Sequence, residues 1–236
     1  LQLTIVFDNN SFDPRLETGW GFGAWLEVGD RVVLFDTGAD GPVLLENMAR
    51  LELDPKRIEV VVLSHAHGDH TGGLGALLAA NPEVDVYLPA AFPSSFKAEA
   101  RRAGATVVEV DEPLEIVPGV WSTGQVGTGV VEQAVAVQTP GGLVVVTGCA
   151  HPGVEEMVRQ ARAVAGDDVL LVVGGFHLGQ AGRSQIEGVI EELQRMGVQS
   201  VAPSHCTGDR ARAMFREVYG HNYHQVGAGW HWSSGG

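Results

Sequence analysis

Apolar positions in this chain gather in short runs punctuated by glycine, proline and acidic residues. Residues 24–26 and 32–35 are apolar, and the Val28-Gly29-Asp30 stretch between them predicts two strands joined by a tight turn. Beyond the loop Asp36-Thr37-Gly38-Ala39-Asp40 the period changes. Val43, Leu44, Met48 and Leu51 recur at helical spacing behind Pro42, predicting a helix over 42–51. A buried strand at 58–63, a helix over 72–80 and a strand at 84–88 follow.

The later sequence repeats this plan. Residues 135–137 and 143–146 flank a Pro140-Gly141-Gly142 turn, and helices are predicted over 154–164, 184–196 and 209–219, with strands at 169–173 and 199–202 between them. No polar or Gly/Pro-rich stretch is long enough for a linker, so one domain spanning 1–236 is expected, with pseudo-duplicated halves of about 1–120 and 121–236. Two mixed sheets are buried most economically face to face with helices outside. The expected fold class is therefore α/β (α+β), a four-layer αββα sandwich. The segment 227–232 reads as a closing strand, and 233–236 as a flexible tail.

In such sheets ligands collect where loops leave the carboxyl ends of strands. The residues just past the predicted strands are Asp36-Thr37-Gly38, Ser64-His65-Ala66-His67, Gly148-Cys149-Ala150-His151, Gly174-Gly175-Phe176-His177 and Ser204-His205-Cys206. Six of the nine histidines fall at or just behind strand ends. Composition narrows the reading. A formal charge of −14 disfavours a polyanionic partner, since nucleic-acid affinity rests on Lys and Arg. No apolar run approaches the roughly 20 residues of a membrane helix. Two cysteines build no disulfide scaffold, and no basic and apolar leader is seen, so a cytoplasmic protein acting on a small molecule is expected.

The sharpest signal is His65-Ala66-His67-Gly68-Asp69-His70. Imidazoles two apart at the exit of an extended segment point to one side, while Asp69 and His70 face a second position. Four ligand-type groups in one loop exceed what a single zinc needs, which suggests two divalent ions, with zinc preferred and manganese or iron permitted. His65, His67 and His151 are assigned to one ion, and Asp69, His70 and His205 to the other. Cys149 is either an additional ligand or a small buried residue. A Cys149–Cys206 disulfide is the weaker reading in a reducing compartment. Asp36 either accepts the ring N–H of a ligating histidine or caps the next segment as an Asx-turn. His177 is read as a substrate contact or acid catalyst rather than a ligand. The loop after the first strand, with Asn9, Asn10 and Trp20, and the glycine-rich stretch 124–129 are candidates for substrate contact, with ordinary surface loops as the alternative. His221, His224 and His231 are left as bystanders.

The His65–His70 motif, preceded by Phe35-Asp36-Thr37-Gly38, resembles the signature of the metallo-β-lactamase superfamily. Asn9-Asn10, Thr147-Gly148-Cys149-Ala150-His151, Gly174-Gly175-Phe176-His177-Leu178 and Ser204-His205-Cys206-Thr207-Gly208 resemble the branch related to the 7,8-dihydropterin-6-methyl-4-(β-D-ribofuranosyl)aminobenzene-5'-phosphate synthases. The resemblance implies the αββα metallo-β-lactamase fold, a dinuclear metal site, and hydrolysis of an ester, lactone, amide or phosphodiester by a metal-bound hydroxide that Asp69 ligates and orients. One departure stands out. Many members carry a separate histidine ahead of the strand ending in an Asp or Cys ligand, and none lies between His70 and His151 here. His151 takes that duty, and Cys149 stands where the bridging residue is expected. The expected function is a metal-dependent hydrolase of a small ester or phosphodiester-type substrate, with pterin-related compounds among the candidates. The alternatives are a non-catalytic metal-binding or redox-sensing protein, or an RNA-processing nuclease of the same superfamily. Oligomeric state is not legible.

Overall fold

Strand β1 (Gln2–Asp8) pairs antiparallel with β2 (Phe22–Val28), and β2 with β3 (Arg31–Phe35) across the predicted Gly29-Asp30 turn, in a computed structural model describing residues 1–166 and 168–234. Past β3 the pairing becomes parallel through β4 (Val60–Val62), β5 (Asp85–Pro89) and β6 (Thr106–Val110). The connections carry α1 (Gly41–Arg50), α2 (Gly68–Thr71), α3 (Leu74–Ala80) and α4 (Ser94–Arg102). Pro42 opens α1, and the Asp40 carboxylate caps it by accepting the Val43 N–H at 3.0 Å. The apolar stripe of α1 puts Leu44 and Met48 into a core with Ile58, Val61, Leu74, Leu77 and Leu78. Such fully buried side chains contribute about 1.5–3 kcal/mol each. This first compact unit comprises Leu1–Asp111 together with Gly227–Ser234, and β13 (His231–Ser233) completes its seven-stranded sheet beside β1.

The second unit, Glu112–Val226, holds a six-stranded sheet. Its strands are β7 (Leu114–Val117), β8 (Val120–Ser122), β9 (Val135–Thr139), β10 (Gly142–Thr147), β11 (Val169–Gly175) and β12 (Ser200–Ser204). β7 to β10 form an antiparallel meander, and β10, β11 and β12 are parallel. Helices α5 (Val154–Ala165), α6 (Arg183–Arg195) and α7 (Asp209–Tyr219) supply Met157, Val158, Ile186, Ile190, Leu193 and Phe215 to its core. Each sheet thus runs from an antiparallel meander into parallel strands joined by helices. Among the described residues no helix is long and apolar enough to cross a membrane.

Three local expectations are corrected. The helix expected over 72–80 starts at Leu74 as α3, and a short helix α2 not expected from the sequence precedes it, the two separated by Gly72-Gly73. A Cβ on these glycines would lie 2.3 Å from the Ala39 carbonyl oxygen and 2.2 Å from that of Thr37, so the break lets two backbones touch. Helix α4 and strands β6 to β8 have no counterpart in the periodicity analysis. Only Ala100 of α4 is buried, and β7–β8 is short and bulged, so neither carries a clear apolar period. At the C-terminus Ser233 belongs to β13, and Ser234 exchanges hydrogen bonds with Leu1. The rest of the expected flexible tail, Gly235 and Gly236, lies outside the described residues.

The second core contains an unpaid polar group. The Tyr219 hydroxyl is buried and meets no partner among the described residues, and burial pushes its pKa from 10.0 up to about 12. Because the folded-state value is raised, its contribution to stability is complete below pH 10 and is lost as pH rises through 12. Tyr219→Phe is expected to raise stability by about 1 kcal/mol at neutral pH. It should also flatten the alkaline loss, as read by urea melts at pH 7 and pH 11. A destabilised variant would reveal a hydroxyl partner instead.

Candidate metal centre

Strands β3 and β4 end side by side, Phe35 opposite Val62, so Asp36 and Ser64 leave the first sheet together. Asp36 adopts a left-handed backbone (φ 57°), unfavourable by about 1–2 kcal/mol for a residue with a Cβ, and its N–H donates to the Val62 carbonyl. That turn buries its carboxylate completely. Oδ1 accepts the Ser64 N–H at 2.7 Å, and Oδ2 accepts the Ser64 hydroxyl and His70 Nδ1–H, both at 2.7 Å. Burial pushes the Asp36 pKa up, opposed by the His70 imidazole and these donors.

The hydrogen-bond arithmetic fixes two tautomers. Ser64 has one hydroxyl proton and gives it to Asp36, so the 2.8 Å contact between Ser64 Oγ and His65 Nδ1 must run from the ring N–H. His65 and His70 therefore both keep Nε2 as the lone-pair nitrogen. His65 Nε2 faces His67 Nδ1 at 3.0 Å. At that separation either His67 donates its Nδ1–H to His65 Nε2 or a metal ion lies between two lone pairs. Two nitrogens on one tetrahedral zinc would stand about 3.3 Å apart. Asp69 Oδ2 lies 3.6 Å from His70 Nε2, and the Thr37 N–H and hydroxyl both donate to the His70 carbonyl, pinning the loop.

Of the expected substrate contacts, Asn10 donates from its backbone and side chain to Asp8 Oδ1, and its carbonyl accepts the Ala228 N–H. Trp20 is 59% exposed. Its neighbour Gly21 lies so close to the His65–His70 loop that a Cβ there would come within 2.3 Å of the Asp69 carbonyl oxygen.

In the second unit the organising group is one the sequence reading missed, Glu132. Its carboxylate is fully buried. Oε1 accepts the N–H groups of Cys149 and Ala150 at 2.8 Å, and Oε2 accepts the N–H and Nδ1–H of His151 at 3.0 Å. It thereby holds a turn containing Ala150 at φ 59° and leaves His151 with Nε2 as its lone-pair nitrogen. The available signal was an acidic residue close behind two valines in the approach Val130-Val131-Glu132-Gln133-Ala134 to β9. His205 is buried in a short turn after β12, with φ 47°. Thr207 braces that turn, its hydroxyl donating to the Ser204 carbonyl and accepting the Phe176 N–H. His177, exposed and at φ 49°, stands with its ring 4.3 Å from that of His151.

No disulfide links Cys149 and Cys206. Hydrogen bonds from the Cys149 thiol and from His177 hold Cys206 down at about 5 against the opposing effect of burial, and Cys206 in turn raises the pKa of His177. A cavity of about 570 Å³ opens beside His151, with Gln125, Thr128, Glu156 and Gln160 in its wall.

The donor chemistry fits a divalent metal. In His65, His70 and His151 the Nδ1–H is held by Ser64, Asp36 and Glu132, the arrangement that fixes ring orientation and raises basicity in metal-ligating histidines. Nitrogen donors of this kind, with the Asp69 carboxylate beside His70 in the first unit, suit zinc and also manganese or iron.

Comparison with known proteins agrees with this chemistry. The family profile described as the metallo-beta-lactamase superfamily matches residues 22–177. A 7,8-dihydropterin-6-methyl-4-(beta-D-ribofuranosyl)-aminobenzene-5'-phosphate synthase from Methanocaldococcus jannaschii is 30% identical, over 84% of this chain and 82% of its own length. A crystal structure described as a metal-dependent hydrolase of the beta-lactamase superfamily superposes with a TM-score of 0.82 at 27% identity, covering 99% of this chain and 98% of that one. The short form of human tRNase Z shares the fold, with a TM-score of 0.61 at 14% identity over 99% of each chain. The α/β fold class expected from the sequence is thereby shown.

Glu132→Gln places an amide NH2 against backbone N–H donors. It is expected to cost about 2–3 kcal/mol in chemical denaturation, as a buried donor loses its acceptor. Metal affinity should fall about ten- to a hundredfold in chelator competition. Unchanged metal affinity with lowered stability would show that Glu132 supports only the turn.

Proposed function

This chain belongs to the metallo-beta-lactamase superfamily, and from that membership we propose that it is a dinuclear metal-dependent hydrolase of a small ester or phosphodiester-type substrate. The observation that carries the reading is the anchoring of His65, His70 and His151 through Nδ1 to Ser64, Asp36 and Glu132. Oriented and basic imidazoles of this kind serve metal binding. The ligand set is the one assigned from the sequence: His65, His67, Asp69, His70, His151 and His205, with zinc as the preferred ion and Cys149 either an additional ligand or a small buried residue.

Divalent ions in such a site supply Lewis acidity and bring the pKa of water to about 7. The residues of the chain do the rest. Asp69, only partly exposed, orients the attacking water by accepting a hydrogen bond from it. His177 gives a proton to the leaving group, a role supported by its exposure and its 4.3 Å ring contact with His151. Trp20 offers an exposed indole on which a planar substrate group can stack.

The substrate is a small molecule. The cavity beside His151, about 570 Å³, falls in the usual range for small ligands, and the charge of −14 opposes a polynucleotide. The name of the M. jannaschii relative supports a pterin-related compound as the class to try first.

Metal analysis should find about two divalent ions per chain, with turnover in a screen of phosphodiesters, lactones and thioesters. His67→Ala or Asp69→Ala should abolish that turnover with circular dichroism and melting largely unchanged. Undiminished turnover in either variant would sink the assignment. Metal-loaded protein without turnover on any substrate would favour a metal-binding sensor.

A further inference from the structure

Cys206 has no part in the hydrolase reading, yet the second unit places its thiol within a set of soft donors. Strands β10, β11 and β12 are adjacent and parallel, with Thr147 opposite Gly174 and Gly175 opposite Ser204. Their carboxyl ends deliver Cys149, His177 and Cys206 to one place. One ligand atom from each of the three, two thiol sulfurs and an imidazole nitrogen, lies within 4.8 Å of the other two.

The placement is built rather than incidental. A Cβ on Gly175 would lie 2.7 Å from Cys206 Sγ and 3.1 Å from Cys149 Cα, so the glycine makes room for the thiol. The Cys206 carbonyl accepts the Gly179 N–H at 3.1 Å, and Cys206 Sγ lies 3.6 Å from the Cys149 carbonyl oxygen. Left-handed backbone occurs at His177 itself, at Ala150 beside Cys149 and at His205 beside Cys206. Such conformations cost about 1–3 kcal/mol each and collect where side chains must be aimed.

We propose that Cys149, Cys206 and His177 form a binding site for a thiophilic d10 cation such as zinc, copper(I) or cadmium. Metal–sulfur bonds of about 2.3 Å and metal–nitrogen bonds of about 2.0 Å separate donor atoms by about 3.5–4.0 Å, within reach of small side-chain rotations here. Two thiols and one imidazole select soft or borderline ions over magnesium or calcium. The cysteines are largely buried while His177 is exposed, so a cation enters from the His177 side. The site draws on Cys149 and His177, both of which the hydrolase reading also uses, and differs from that reading in its use of Cys206 and its independence of Asp69. An ion held there takes the imidazole nitrogen that the hydrolase reading reserves for a proton, so the two uses of His177 exclude one another.

The test uses the full chain, reduced and stripped of metal, titrated with cadmium ion while thiolate-to-cadmium charge-transfer absorption is followed. Wild-type protein should develop a band of two-thiolate intensity, and cadmium should protect both cysteines from alkylation as read by mass spectrometry. Cys206→Ser should halve the band and weaken binding at least about tenfold. His177→Ala should keep both thiolates and bind more weakly, and Asp69→Ala, which tests the hydrolase reading through turnover, should leave the band intact. A wild-type band of single-thiolate intensity that Cys206→Ser leaves unchanged would overturn the site. So would alkylation of Cys206 at the same rate with and without cadmium.

Discussion

A carboxylate removed from water must be met by donors on nearly every lone pair, and the Asp36 carboxylate is the point on which the first unit's chemistry turns. Its two oxygens take three donors, all from the segment that bears the histidines. The requirement that Asp36 be satisfied therefore dictates the path of residues 64–70. It also dictates which nitrogen of His65 and of His70 carries a proton, because Ser64 has a single hydroxyl proton to give. Local backbone strain at Asp36 is the cost of turning that carboxylate inward at a strand end.

The second unit reaches the same result by different means. Glu132 precedes the strands it serves and reaches forward by 17 to 19 residues to collect three consecutive backbone N–H groups and one imidazole. Both arrangements use a buried acid to hold Nδ1 and present Nε2, and both sit where a parallel strand ends. Parallel pairing explains the location. Successive strands end at the same edge, so their exit loops share that edge, and short loops with tight backbone approach bring side chains within a few ångströms of one another. In the first unit Gly72 and Gly73 allow that approach, and in the second Gly175 does.

The legible part of this protein was whatever repeats or clusters locally. Helix α7 was predicted at its observed bounds, and α1, α5 and α6 within a residue or so, since each has an apolar stripe of helical period. The hairpin β2–β3 announced itself through Gly29-Asp30. Helix α4 did not, because its face is mostly polar and packing against the sheet, rather than an internal period, supports it. The short α2 and its separation from α3 were hidden because Gly68-Asp69-His70-Thr71 has no apolar period and Gly72-Gly73 is shaped by contacts with residues 37 and 39, remote in sequence.

The same division holds for the site. The sequence by itself determined which residue types stand at strand ends: the cluster from His65 to His70, then His151, His177 and His205, each behind an apolar run. That information is local, carried by motif spacing and the alternation of strands and loops. Only the tertiary structure decided tautomer and orientation, because these depend on hydrogen bonds between residues far apart in the chain, His70 with Asp36 and His151 with Glu132. For the same reason Glu132 passed unnoticed as a polar residue near a strand, and Cys206 became a partner of Cys149 and His177 only once parallel pairing brought three strand ends together.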